Sequence, residues 1–126
     1  MKYLVACNWD PTLIDKLNVA EVSSLFGGLP DALISSGRPS SQIKSISEHT
    51  VKNFINRIHE KKWAFDYNMN STCLANKEVT RKGFSQIMKY LERISDLGVD
   101  ALTISNTNLI GIVKKNFPKL RVNLST

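Results

Sequence analysis

Residues 99–126 read VDALTISNTNLIGIVKKNFPKLRVNLST. The run VDALTIS is apolar, rich in strand formers and too short for a buried helix, which predicts a strand. Asn106 or Thr107 then caps a short helix that carries Leu109, Ile110 and Val113. Pro118 closes that helix, and LRVNLST reads as one more strand. Strand, helix and strand in immediate succession argue for parallel strands joined by a right-handed helical crossover.

The same alternation extends upstream. Phe84, Ile87, Met88, Leu91 and Ile94 form one apolar stripe, and Gly98 supplies the helix stop. Before them, KKWAFDYNMN alternates Trp63, Phe65 and Tyr67 with smaller or polar residues, as a strand does. Val51, Phe54, Ile55 and Ile58 recur at helical spacing, with Ser45 and Glu48 at capping-box spacing ahead of them. VAEVSSLF reads as a strand ended by GGLP, and DALISSG as a further apolar stretch or its continuation. GRPSSQIKSIS is loop chemistry. At the start, KYLVAC fits a buried strand, and Asp10 and Pro11 open a helix as N-cap and first residue. The fold class is therefore α/β, with parallel βα repeats in an open sheet or part of a TIM-like (β/α)8 barrel. A complete barrel needs about eight strands and about 250 residues, and only about five strands are legible. A chain that ends on a strand is expected to be an incomplete TIM-barrel-like fold.

With 126 residues, 42% hydrophobic and 22% charged, the chain has the make-up of one globular domain rather than a disordered or collagen-like one. No apolar run approaches the roughly 20 residues that cross a bilayer. Asn8, Asp10 and Pro11 interrupt the start too early for a signal peptide, so no membrane partner and a cytoplasmic location are expected. The two cysteines, Cys7 and Cys73, form no CxxC pair, which argues against a structural zinc site or a disulfide framework. A net charge of +6 admits an RNA partner. Much of that charge, however, collects where helix ends are expected, at Arg57 to Lys62 and at Lys114 to Arg121, where it offsets the helix dipole.

In a parallel βα architecture the loops after the strand C-termini form the functional face. Those ends are polar here: Asn8 after the first strand, Ser35, Ser36 and Arg38 after DALISS, Asn68 and Asn70 in the middle, Ser105 and Asn106 next, and Asn123, Ser125 and Thr126 last. Asn and Ser also serve as ordinary turn and cap residues. Asn68 and Asn70 stand out because alternation puts both amides on one side of the strand. Arg38 is the best anion-binding candidate, since guanidinium engages carboxylate or phosphate bidentately. The candidate substrate-binding residues are thus Asn8, Arg38, Asn68, Asn70 and Asn106. Cys73 and Glu78 rank behind them, because no histidine neighbours Cys73 in sequence and a first-turn Glu78 is explained by the helix dipole. No P-loop, GxGxxG, HExxH or GxSxG motif is present, and no metal site is expected.

The ordered combination of FDYNMNSTCLANKEVTRKG (residues 65–83), a helix, LGVDAL, a helix ending near FPKL and a strand ending in ST resembles the N-terminal part of the collagenase-like peptidases, family thirty-two of the class U peptidases. GRPS (residues 37–40) is similar to a Gly-Arg-Pro signature of one branch. The resemblance implies a TIM-barrel-like fold and a peptide hydrolase. It carries over no catalytic residue. Some members resemble components of tRNA or quinone hydroxylation that use iron–sulfur clusters, so the alternative is a non-peptidase barrel acting on RNA, quinone or a peptide. The cluster cysteines of such members lie downstream of the region covered here, and neither Cys7 nor Cys73 matches them, so no cofactor is expected in this chain. Residues 1–126 are accordingly expected to be a truncated N-terminal part of a barrel domain, weakly active or inactive alone. Its expected partners are a peptide or protein substrate, and a second copy or a completing barrel half.

Overall fold

The computed structural model describes residues 1–30 and 32–125. Five strands, β1 (Tyr3–Ala6), β2 (Val22–Gly27), β3 (Ala64–Met69), β4 (Ala101–Ile104) and β5 (Arg121–Leu124), form one parallel sheet in sequential order β1-β2-β3-β4-β5. Four helices lie between them: α1 (Pro11–Lys16), α2 (Glu48–Glu60), α3 (Arg81–Asp96) and α4 (Thr107–Asn116). Sequential order with one-handed crossovers keeps the helices on a single face, which is how a TIM-barrel wall is built, whereas a doubly wound sheet reverses its strand order. The fold is an incomplete, TIM-barrel-like α/β sheet.

The core lies between helices and sheet. Leu25, Phe65, Tyr67, Met69, Leu102 and Ile104 are at most 1% exposed. They meet Val51, Phe54, Ile55 and Ile58 of α2, Ile87, Leu91 and Ile94 of α3, and Leu109 and Val113 of α4. Phe65, Tyr67 and the residues of α2, α3 and α4 are those whose 2.0 and 3.6 periods marked the elements in the sequence. The caps follow the same logic. Asp10 accepts from Thr12 N–H at 3.0 Å and Thr80 accepts from Gly83 N–H at 3.1 Å. Asn106 accepts from Leu109 N–H at 3.0 Å, and Gly98 ends α3 with φ +92°. Gly83 is required by packing, because a Cβ there would lie 2.3 Å from the Lys77 carbonyl oxygen.

The structure differs from the sequence reading in four places. DALISSG forms no strand among its described residues; Asp31 lies outside them, as does Thr126, named above with the polar ends. Instead the segment folds back over the sheet, where Asn70 N–H donates to Ser35 C=O at 2.8 Å and Ile34 is 1% exposed. The N-cap of α2 is Ser47, whose hydroxyl accepts from Thr50 N–H at 3.2 Å, so Ser45 falls before the helix. Glu78 sits in a separate 3-10 turn, Lys77–Val79, ahead of the Thr80 cap, and is not in the first turn of α3. β1 is the edge of the sheet rather than a buried strand, with Tyr3 55% and Leu4 58% exposed.

Candidate functional site at the mouth of β1, β2 and β3

Alternation gives β3 two unlike faces. Phe65, Tyr67 and Met69 enter the core, and Asp66, Asn68 and Asn70 point to the face that carries no helix. Parallel register sets Asp66 beside Phe26 and Ala101, and Asn68 beside Thr103, which pairs in turn with Asn123. The uncovered face is therefore lined by polar groups at the centre of the sheet.

At the C-terminal ends of β1, β2 and β3 this face opens into a cavity of about 170 Å³, lined by Asn8, Ser36, Arg38, Lys44 and Asn68 over a floor that includes Gly27 and Gly28. Trp9 fixes one wall. It is buried, adopts φ 59°, donates from Nε1 to the Gly28 carbonyl at 3.1 Å and lies edge-on to Phe54. A bulky residue in the left-handed region is uncommon and persists only where its surroundings hold it, as this ring packing does. The opposite wall is the returning loop. Gly28 permits its approach, since a Cβ there would lie 2.6 Å from Ser36 Cβ. Gly37 takes φ +85° against Asn70. Asn70 Nδ2 donates to Ser36 C=O at 3.2 Å and locks the loop in place.

The structure brings three of the five sequence candidates together at this cavity: Asn8, Arg38 and Asn68. Asn8 holds its own turn by accepting from Asp10 N–H at 2.9 Å. Arg38 places its guanidinium 6.0 Å from the Phe26 ring centroid, at the outer limit of a cation–π contact, and pairs with no carboxylate among the described residues. Asn70 is adjacent and works chiefly as the loop lock. Asn106 stands apart: its amide caps α4 and donates from Nδ2 to Thr72 C=O at 2.8 Å, fixing the loop after β3. Cys73 is exposed in that loop, where Ser71 Oγ donates to its carbonyl at 2.7 Å. Neither histidine serves it, since His49 meets Asn53 and His59 Nε2 meets Asp100 at 2.8 Å, below the opposite end of the strands. Glu78 is half-buried, with Oε2 unpartnered among the described residues.

Asp66, on the uncovered face, and Lys44, at the cavity, were not among the sequence candidates. Asp66 is 5% exposed on the uncovered face; its Oδ2 accepts from Asn123 Nδ2 at 3.3 Å and its Oδ1 has no partner among the described residues. Burial pushes its carboxyl above the ordinary 3.8, against the downward pull of Arg121 and with a further upward push from Asp100. The alternation that paired Asn68 with Asn70 reaches Asp66 one step earlier, so its signal was present. Lys44 had none, because only tertiary folding carries it to the cavity. Cys7 lines the same cavity, and burial pushes its thiol up to about 12, so it is a neutral wall and not a nucleophile. Of the basic residues noted in the sequence, Arg57 lies in the last turn of α2 with Lys61 as its C-cap, whereas Arg121 lies in β5. Arg57 pairs with Asp15 at 2.7 Å, and Lys114 and Lys115 occupy the last turn of α4.

No group of three or more His, Cys, Asp or Glu side chains suited to a metal ion occurs among the described residues, and no helix among them is long and apolar enough to cross a membrane.

Comparison with known proteins agrees with this architecture. A solved structure of the U32 peptidase Mk0906 superposes on 99% of this chain with a TM-score of 0.74 at 14% sequence identity, a likeness of fold. The chain spans 48% of that structure, about half its length. No curated protein matches the chain. The model of Peptidase family U32 matches residues 19–126, and over that span, which includes every strand but the first, the chain belongs to Peptidase family U32.

Proposed function

We propose that the chain is the substrate-holding part of a peptidase-like barrel, which grips a peptide across the mouth of β1, β2 and β3. The observation that carries this reading is the convergence of Asn8, Arg38 and Asn68 on one cavity at the strand C-termini, in a member of a peptidase family. Amide side chains beside a cavity can hydrogen-bond the extended backbone of a peptide, and a guanidinium adds charge recognition. Hydrolysis needs a nucleophile with a base in hydrogen-bond reach, or a metal-bound water. Cys7 is held neutral and Cys73 has no base partner among the described residues, so the reading expects weak or absent cleavage by these residues alone. The edges β1 and β5 expose Tyr3, Leu4 and Leu124, and the proposal includes a cover for them, a second copy or further barrel strands. Incubating the purified chain with a mixed peptide library tests it by mass spectrometry. Retention of peptides without new fragments is expected. Robust cleavage that is lost in Asn70→Ala or Cys73→Ala overturns it.

A further inference from the structure

We propose that the mouth cavity is a carboxylate site and takes the C-terminus of a peptide. This rests on the peptide-holding reading above and names the part of the peptide that is read.

The first observation is charge. Arg38 and Lys44 both line the cavity, and none of its lining residues is Asp or Glu. Asp10 lies outside the lining and accepts from Thr12 N–H, which with the Thr12 hydroxyl and the Lys44 charge holds its carboxyl below the ordinary range. Cys7 adds no negative charge to the wall.

The second is an orphan. Ser36 is 5% exposed, lines the cavity, and its Oγ has no hydrogen-bond partner among the described residues. Buried hydroxyls are nearly always bonded, and leaving one unmade costs about 1–3 kcal/mol. A carboxylate oxygen in the cavity accepts that hydroxyl proton, with the Asn68 amide as a second donor.

The third is what adjoins it. A second cavity, of about 250 Å³, shares Ser36, Arg38 and Ile43 with the first and is otherwise walled by Leu29, Pro30, Ala32, Ser35 and Pro39, a mixed polar and apolar lining. The first cavity has room for roughly five or six waters at about 30 Å³ each. That suits a carboxylate and its α-carbon, and leaves the adjoining cavity for the side chain of the last residue. A free C-terminal residue presents those two groups on one carbon, one to each side of Ser36 and Arg38.

The test titrates the full 126-residue chain with acetyl-Ala-Ala-Leu as the free acid, with the same peptide as its C-terminal amide, and with inorganic phosphate, following amide shifts by NMR. The acid is expected to bind about 10-fold tighter than the amide, as a charge-assisted pair provides. Arg38→Gln should abolish that difference and Ser36→Ala reduce it several-fold, with Lys44→Gln as a second exposed variant that does not touch the core. Equal binding of acid and amide overturns the carboxylate site and leaves peptide holding intact. Binding of phosphate with neither peptide overturns the peptide-holding reading and the assignment to a C-terminus together. Binding of none of the three overturns both.

Discussion

The two faces of β3 are built from adjacent residues and are physically unlike. Phe65, Tyr67 and Met69 are at most 1% exposed against the helices, and even the Tyr67 hydroxyl is engaged, with Tyr90 at 2.8 Å and with Leu29 N–H at 3.2 Å. On the other side Asp66 keeps a buried oxygen with no partner among the described residues, and Asn68 presents its amide to two cavities. One face is satisfied and closed, the other polar and incompletely satisfied. Unmet hydrogen-bonding capacity beside space is what a binding surface looks like before its ligand arrives, whereas met capacity without space holds the fold. The stability of this chain should therefore be read on one face and its binding on the other.

Substitutions can break that division, and the expected effects fall in a clear order. Phe65→Ala should cost about 3–5 kcal/mol, because it opens a void under Trp9 in a layer with no room to relax. Urea denaturation would measure it, and a loss under about 1 kcal/mol would show that the helix-covered face does not hold the fold. Gly28→Ala should cost about 1–3 kcal/mol, since its Cβ drives the Ser36 loop off the mouth, and it should weaken peptide binding at the same time. Asp66→Asn should act in the opposite direction and stabilise the chain on the order of 1 kcal/mol at neutral pH, by removing a buried and poorly satisfied charge. The sign follows from the raised carboxyl. The fold favours its protonated form, so the Asp66 contribution to stability is full below 3.8 and is lost as pH rises through the folded value. The advantage of Asp66→Asn should thus vanish in acid and grow toward neutrality, and a pH series of thermal midpoints that runs the other way contradicts it. Asn68→Ala should change stability by no more than about 0.5 kcal/mol, as for a site away from the core, while it weakens peptide binding.

The sequence was informative where one periodicity governed a whole segment. From Ala64 to Leu124 every strand and the helices α3 and α4 were legible, because apolar residues at period 2.0 or 3.6 had a single face to bury and Gly98 and Asn106 marked ends. It was uninformative from Gly28 to Ser47, where Leu29 and Ile34 are buried by a loop that folds over the mouth and not by a strand. Apolar content there records a tertiary contact with no period. The candidate site divides in the same way. Asn68, and by the same alternation Asp66, follow from strand geometry. Lys44 does not, since nothing local places a loop lysine beside Asn8.

Peptide holding at the mouth of β1, β2 and β3 is tested most directly by amide shift mapping of the isotopically labelled chain with acetyl-Ala-Ala-Leu. The largest shifts are predicted at Asn8, Ser36, Arg38 and Asn68, with α4 and β5 unmoved. Shifts that centre on α4 and β5, with the mouth silent, would contradict it.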